Sequence, residues 1–480
     1  MVEIKLKLSY DDVLLSPNKA IVNSRSQIST KTKLTKNIAL HIPVVSANMD
    51  SVTEAEMAIA MARRGGIGII HRFLSVEDEA EEVRQVKRAD NFVIEEPYTI
   101  SVEKKLGDVK ELMQLRGVNG LVVVEGEKLR GIITNRDVIF QIDLDVPVAE
   151  LMTPFERLHT GGPDLTIGQA KEIFKTTKIE KIPLVDSEGN LRGLVCQKDI
   201  SKIEKYPYAS RDKKGRLLVG AAIGTKPDFM IRAKALLDAG VDVLVIDVAH
   251  GHSTRVIEVL QEIKRTFKHV EVIAGNVATA EGTRELIEAG ADGIKVGVGP
   301  GSICTTRIVS GSGVPQLSAV MDCAKVAHEY EIPLIADGGI KVSGDVTKAL
   351  AAGASTVMLG NLLAGTDESP GLLVLRNGDK YKIIRGMASF GAAMGRKYRL
   401  NGNSKTDDKE LEDVVPEGVE AMVRYKGSVG DVLSQLVGGL RSGISYCGAD
   451  SINGMWANAN FVQITNSGLR ESKSHDVNLV

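Results

Sequence analysis

Three near-copies of one five-residue phrase set the architecture of this chain: D-A-G-V-D at 238–242, E-A-G-A-D at 288–292 and A-A-G-A-S at 351–355. Each closes a helix-like stretch and opens a short apolar run. A glycine that stops a helix just before a buried strand is the mark of βα repeats joined by short loops. The runs are VDVLVIDVAHG (241–251), EVIAGNVA (271–278), ADGIKVGVGPG (291–301), PLIADGG (333–339) and STVMLGN (355–361). Upstream, IPVVSANMDSV (42–52), the helical AEMAIAMARRGG and IGIIH (67–71) have the same form. Fully apolar strands alternating with helices imply a parallel sheet covered on both faces. At least seven such units fit an α/β fold closed as a (β/α)8 TIM barrel better than an open sheet. Function in such barrels gathers where the strands end, so the residues after each run are the ones to inspect.

A second repeat interrupts the first. GLVVVEGEKLRGIITNRDV (120–138) and PLVDSEGNLRGLVCQKDI (183–200) share a frame of apolar strand, acidic turn, L-R-G, apolar strand and a closing Asp. Each follows a helix-like stretch. Two β–α–β–β units of roughly 60 residues would pair as one small domain. That domain spans about 93–205, with copies at about 93–150 and 152–205. The barrel then takes 1–92 and 206–480. A chain of 480 residues is long enough for both cores.

Net charge is −2, so no basic field recruits nucleic acid or an anionic membrane. The apolar runs fall short of the ~20 residues of a membrane span. MVEIKLKLSYDD lacks the apolar stretch of a secretory signal. The four cysteines, Cys196, Cys304, Cys323 and Cys447, have neither CxxC spacing nor companion histidines. A reducing, cytoplasmic setting is expected, with free thiols.

V-G-V-G-P-G-S-I-C-T-T (296–306) is the stretch richest in chemistry. Its glycines let backbone groups approach a ligand or ion closely. Cys304 sits on a loop after a strand, where a thiolate acts as nucleophile; the same pattern also describes a buried Cys in a Gly-rich barrel loop. Thr306 is placed to hydrogen-bond the reacting group. In A-D-G-G-I (336–340), Asp337 suits a ribose diol and the glycines a phosphate; V-M-L-G-N (357–361) offers another backbone-lined loop where barrels bind phosphate, though both also read as turns. Together the three loops favour a nucleotide monophosphate. The weakly periodic segment at about 386–430 reads as a lid or a solvated loop, with Arg396, Lys397, Tyr398 and Glu417 as its working groups. Trp456, Cys323 and Cys447 read as packing residues, and His71, His159 and His269 as structural or surface groups.

These residues resemble a known family. G-V-G-P-G-S-I-C-T-T-R, G-V-P-Q-L, I-A-D-G-G-I, P-E-G-V-E, L-V-G-G-L-R-S-G, Y-D-D-V-L-L-S-P and the closing E-S-K-S-H-D are similar to the IMP dehydrogenase/GMP reductase family, over nearly the whole chain. The resemblance makes the 93–205 insertion a pair of CBS repeats. It implies that Cys304 attacks C2 of a purine nucleotide while hydride passes between C2 and NAD or NADP, with Thr306 assisting. Ser302, Asp337, Gly339, Gly360, Asn361, Gly386, Met387 and Glu417 would hold the nucleotide. Asp247, Asn276, Gly297 and Gly299 would lie at the cofactor. Backbone carbonyls of Gly299, Gly301 and Cys304 would bind K+, joined by Glu471, Ser472 and Lys473 of a neighbouring subunit. The family implies a homotetramer, or an octamer when adenine or guanine nucleotides bind the CBS pair through Thr134, Asp137 and Asp199.

Two reactions share this machinery. Oxidation of IMP to XMP needs a base to activate water for hydrolysis of the Cys304 thioimidate; reductive deamination of GMP to IMP does not. In the dehydrogenases that base is the Arg of an Arg-Tyr pair on the lid. Here the lid reads G-R-K-Y-R, so Lys397 replaces Arg beside Tyr398, or Arg396 serves one position early. Ile384, Asn361 and Ala388 stand where the dehydrogenases have Tyr, Ser and Gly. H-R-F (71–73) and R-G-M-A-S-F (385–390) resemble CBS-containing GMP reductases. G-V-P-Q-L and the long P-E-G lid are dehydrogenase-like, and NAD-dependent IMP oxidation is the leading expectation. GMP reductase is the alternative, and an inactive barrel serving as a CBS nucleotide sensor the remote one. Cys196 stands where the CBS pattern has Thr or Ser, which weakens the second nucleotide site.

Overall fold

The computed structural model of the chain describes residues 4–392 and 415–474. It divides into two compact units, one of residues 1–87, 208–212 and 217–480, the other of 88–207 and 213–216.

The first unit is a closed parallel barrel of eight strands. They are β1 (Val44–Ser46), β2 (Ile67–Ile70), β3 (Val219–Ile223), β4 (Val243–Asp247), β5 (Glu271–Val277), β6 (Gly293–Val296), β7 (Leu334–Asp337) and β8 (Thr356–Leu359). Neighbours around the ring follow chain order, and Val357 of β8 pairs with Val44 of β1 to close it. The expected TIM barrel is therefore what forms.

The five-residue phrase explains how consecutive units lock. Gly240, Gly290 and Gly353 take φ of 91°, 107° and 106°, which only glycine adopts without strain. The next two amides turn back on the helix: Gly240 N–H donates to Leu237 O (2.9 Å) and Val241 N–H to Leu236 O (3.0 Å), with the same pair at Gly290 and Gly353. The fifth residue then reaches sideways. Asp242 Oδ2 accepts from Val219 N–H (2.8 Å), Asp292 Oδ2 from Val272 N–H (2.9 Å) and Ser355 Oγ from Leu334 N–H (3.3 Å). Each helix end is thus pinned to the start of the preceding strand. Between strands, helices bury one stripe. In Thr254–Thr266, capped by Ser253, the buried residues are Val256, Val259, Leu260 and Ile263, worth about 1.5–3 kcal/mol each.

The barrel interior is filled, not open. Val45, Ile67, Ile69, Val243, Val245, Ile273, Ile335 and Met358 form one buried cluster. Leu34 and Leu40 of an N-terminal hairpin join it and plug the end where the strands begin. Lys295 on β6 places a buried charge among the strand C-termini, where the polar chemistry gathers.

Seven of the eight strands coincide with the apolar runs read from the sequence. The eighth, β3, lies in LLVGAAIG; its Gly and Ala give little strand signal, and no helix-ending glycine announces it. No helix among the described residues is long and apolar enough to cross a membrane.

The second unit repeats a strand–turn–strand–helix frame: Gly120–Glu125, Lys128–Thr134 and Asn135–Val138, then Lys181–Val185, Leu191–Cys196 and Gln197–Lys205. Val122, Leu129 and Ile132 of the first copy pack with Leu194 and Cys196 of the second in one core.

Candidate functional site

At the C-terminal end of the barrel a single ammonium group organises the strand ends. Lys295 is 2% exposed. Its Nζ donates to Asp247 Oδ1 on β4 (2.7 Å), to Asp337 Oδ2 on β7 (2.9 Å) and to Asn276 Oδ1 on β5. Asn276 Nδ2 in turn donates to Asp337 Oδ2 (2.9 Å) and Gly297 O (2.8 Å). Burial opposes the charge on Lys295, but Asp247 and Asp337 outweigh it and move its pKa upward. Burial likewise pushes the Asp247 carboxyl up, and Lys295 reverses this, leaving it below the usual carboxylate value.

The loop after β6 is fixed by close backbone approach. Gly297 has φ 150°, and a Cβ there would stand 2.1 Å from Asp337 O. Gln316 Nε2 ties the same strand ends, donating to Val296 O (2.8 Å) and Asp337 O (3.1 Å). Beyond it, Cys304 N–H donates to Gly301 O (3.1 Å), and Arg307 anchors the loop through Val298 O and Val314 O.

Onto this loop the returning segment 417–420 is laid. Cys304 pairs with Gly418 as an isolated antiparallel bridge, Thr305 N–H donates to Glu417 O (2.9 Å) and Val419 N–H to Ile303 O (3.0 Å). This brings three side chains into line. Cys304 Sγ donates to Thr306 Oγ1 (3.2 Å), and Thr306 Oγ1 donates to Glu417 Oε2 (2.8 Å). A thiol, a hydroxyl and a carboxylate in sequence form a path by which a proton leaves sulfur.

A cavity of about 300 Å³ opens over these groups. It is lined by Cys304, Thr306, Glu417, Asp247, Asn276, Gly297, Gly299, Gly301, Asp337, Gly386 and Met387, together with Asn48, Arg72 and Lys295. A recess of about 130 Å³ shares Gly301, Asp337 and Met358 with it and adds Ser302, Gly339, Gly360, Asn361 and Ile384. The chain's own Glu471 ends the helix Asn466–Glu471; Ser472 caps it, and Lys473 follows, outside both cavities. Arg396, Lys397 and Tyr398 lie outside the described residues.

A profile of the IMP dehydrogenase / GMP reductase domain matches residues 7–475. The chain belongs to this family. A curated IMP dehydrogenase from Nitrosopumilus maritimus is 52% identical over 100% of both chains, and a GMP reductase from Leishmania donovani is 50% identical, covering 98% of this chain and 97% of the relative. In three dimensions the chain superimposes on a GMP reductase from Trypanosoma brucei in complex with guanosine 5'-monophosphate, with TM-score 0.92 and 47% identity over 99% of each chain. Members so named are oxidoreductases, and this chain is an enzyme of the same class with a nicotinamide cofactor.

Within the IMP dehydrogenase/GMP reductase frame, three site residues escaped the sequence reading: Asn48, whose side chain hydrogen-bonds Asp247, and two that carry charge. Lys295 lies inside an apolar strand run, G-I-K-V; a lone charge at a core-facing position was the available signal. Arg72 was noted only as part of H-R-F, yet it lines the cavity and its guanidinium helps keep the Asp247 carboxyl low.

In the second unit, Thr134 and Asp137 line a cleft of about 480 Å³, and Asp199 and Cys196 one of about 670 Å³. Asp137 Oδ2 accepts from Thr134 N–H and Oγ1–H, both at 2.7 Å. Cys196 offers no such hydroxyl; burial pushes its thiol up to about 11. Among the described residues no cluster of three or more His, Cys, Asp or Glu side chains is fit to hold a metal ion.

Proposed function

We propose that the enzyme oxidises IMP to XMP with NAD+, the step that commits purine nucleotide to guanine; the Cys304–Thr306–Glu417 path supports covalent purine chemistry of either direction, and G-V-P-Q-L with the long P-E-G lid favours the dehydrogenase. The proton leaves Sγ through Thr306 to Glu417, and sulfur bonds to C2 of the base. NAD+, when bound, would supply the acceptor for the hydride that C2 loses. Water then adds to C2, the S–C2 bond breaks, and XMP departs. Asp337 would take the nucleotide ribose. Ser302, Gly339, Gly360 and Asn361 would take the phosphate in the small recess, and Gly386 and Met387 the base. Asp247, Asn276, Gly297 and Gly299 would hold the cofactor, Asp247 and Asn276 at its ribose. Lys397, or Arg396, beside Tyr398 would activate the water.

Backbone carbonyls of Gly299, Gly301 and Cys304 would bind K+, being oxygen donors of the kind a hard cation takes. Glu471, Ser472 and Lys473 of a second subunit would complete it in a homotetramer. The second unit would act as the CBS pair, taking adenine or guanine nucleotides and supporting octamers. The protein would work in the cytoplasm.

Two observations favour GMP reductase as the second reading: the G-R-K-Y-R lid lacks the Arg-Tyr pair, and the fold matches the GMP-bound reductase closely. Absorbance at 340 nm separates the two. A rise with IMP, NAD+ and K+ only supports the dehydrogenase. A fall with GMP and NADPH only overturns it for the reductase. Silence in both cuvettes points to a nucleotide sensor.

A further inference from the structure

We propose that Lys295 is a positioning residue whose one ammonium group holds the ligand-binding carboxylates of both subsites, so that purine nucleotide and dinucleotide depend on the same side chain. The inference rests on the reading above, in which Asp337 meets the nucleotide and Asp247 the cofactor.

An ammonium group has three donors. Here all three are taken, by Asp247, Asp337 and Asn276, each from a different barrel strand. Only one oxygen of each carboxylate is spent on Lys295. Among the described residues Asp337 Oδ1 accepts no hydrogen bond, so an acceptor remains to face a ribose hydroxyl. Asn276 completes the set, giving its oxygen to Lys295 and its amide to Asp337 and Gly297 O. The three side chains are thus oriented before any ligand arrives, as precise binding requires.

Other charges do not share this role. Arg72 and Asn48 act on Asp247, and Tyr10 lies beside Asp337. Lys295 alone among the described residues hydrogen-bonds both carboxylates. Lys295 is 2% exposed, so its ammonium group has little water of its own to fall back on. Without the ammonium group, Asp247 and Asp337 would face each other across a low-dielectric pocket, and like charges so placed resist ionising together. Nor is Lys295 a nucleophile: an amine kept protonated by two carboxylates has no lone pair to offer.

The test uses full-length wild type, Lys295→Met and Lys295→Arg. Protection of Cys304 from iodoacetamide by IMP or GMP reads nucleotide binding whichever reaction runs, and KM for both substrates reads the coupling. In Lys295→Met the nucleotide concentration for half-protection should rise about 100-fold, the scale of a displaced binding group. Both KM values should rise together, and the acidic limb of the kcat/KM profile should move to higher pH. Lys295→Arg keeps the charge, and with it the fold, but offers a planar fork to acceptors arrayed around a tetrahedral donor. It should raise both KM values about tenfold and leave the pH limb in place. A folded Lys295→Met variant protected within threefold of wild type overturns the proposal. So does a Lys295→Arg variant in which one KM moves alone, or neither moves. A wild-type Cys304 that no purine monophosphate protects sinks the nucleotide reading itself, before any variant is made.

Discussion

Replacing Thr306 by Val removes one oxygen and keeps the shape of the side chain. The hydroxyl accepts from Cys304 Sγ at 3.2 Å and donates to Glu417 Oε2 at 2.8 Å, so both links of the proton path vanish together. The fold should hardly notice. Thr306 and Glu417 are half-buried, water can reach the carboxylate, and the loss is about 1 kcal/mol of stability. Turnover should suffer far more. Positioned proton transfer contributes roughly 10²–10⁴-fold, or about 2.7–5.5 kcal/mol of barrier. The assay is steady-state kcat beside a urea melt, with Thr306→Ser as control because it restores the oxygen. The expected pattern is a near-native melt, a fall in kcat of about 100-fold or more for Val, and recovery for Ser. A Val variant within threefold of wild type, or a Ser variant as poor as Val, would refute the path.

Cys304→Ala should abolish turnover in either direction while the melt stays native, since the thiol is half-buried and packs little; residual activity in a titrated preparation would exclude covalent chemistry. Gly297→Ala should destabilise the barrel by about 2–3 kcal/mol in urea, because its Cβ would stand 2.1 Å from Asp337 O at φ 150°. The carboxyl of Asp247 is held low by Lys295 against burial, so its stabilising share is present above the unfolded value near ~3.9 and is lost as pH falls through the folded one. The gap between urea melts of wild type and Asp247→Asn should therefore begin to narrow near pH ~4 and close only once pH lies below the folded value. A gap that persists there would assign the stabilisation to packing rather than charge.

The barrel was legible because its punctuation is local. A glycine at φ near 100° and the Asp or Ser two residues on are close neighbours in the chain, and their pattern repeats. β3 was not legible, since its partners β2 and β4, and not its own Gly-Ala composition, make it a strand. At the site, Cys304 and Thr306 were readable from one loop. Their line with Glu417 was not, because 111 positions separate Thr306 from Glu417 and only the fold brings segment 417–420 back across Ile303. Lys295 was hidden for the opposite reason. Its meaning comes from Asp247, Asn276 and Asp337 on other strands, and nothing beside it in sequence hints at them.

The staples at the helix ends also bear on the order in which the molecule assembles. Asp242 with Val219, Asp292 with Val272 and Ser355 with Leu334 join residues 23, 20 and 21 positions apart. Each βα unit can therefore dock on the one before it as the chain emerges. The last joint is different in kind: Thr32 Oγ1 reaches Ser355 O beside the β8–β1 pairing, across 323 positions. For a flexible loop, that separation raises closure entropy by about 2.5 kcal/mol over a 20-residue one. Prior folding of the intervening units shortens the effective span. The barrel thus has a seam, between β8 and β1, where late closure and first opening should both occur, next to the recess framed by Gly360 and Asn361.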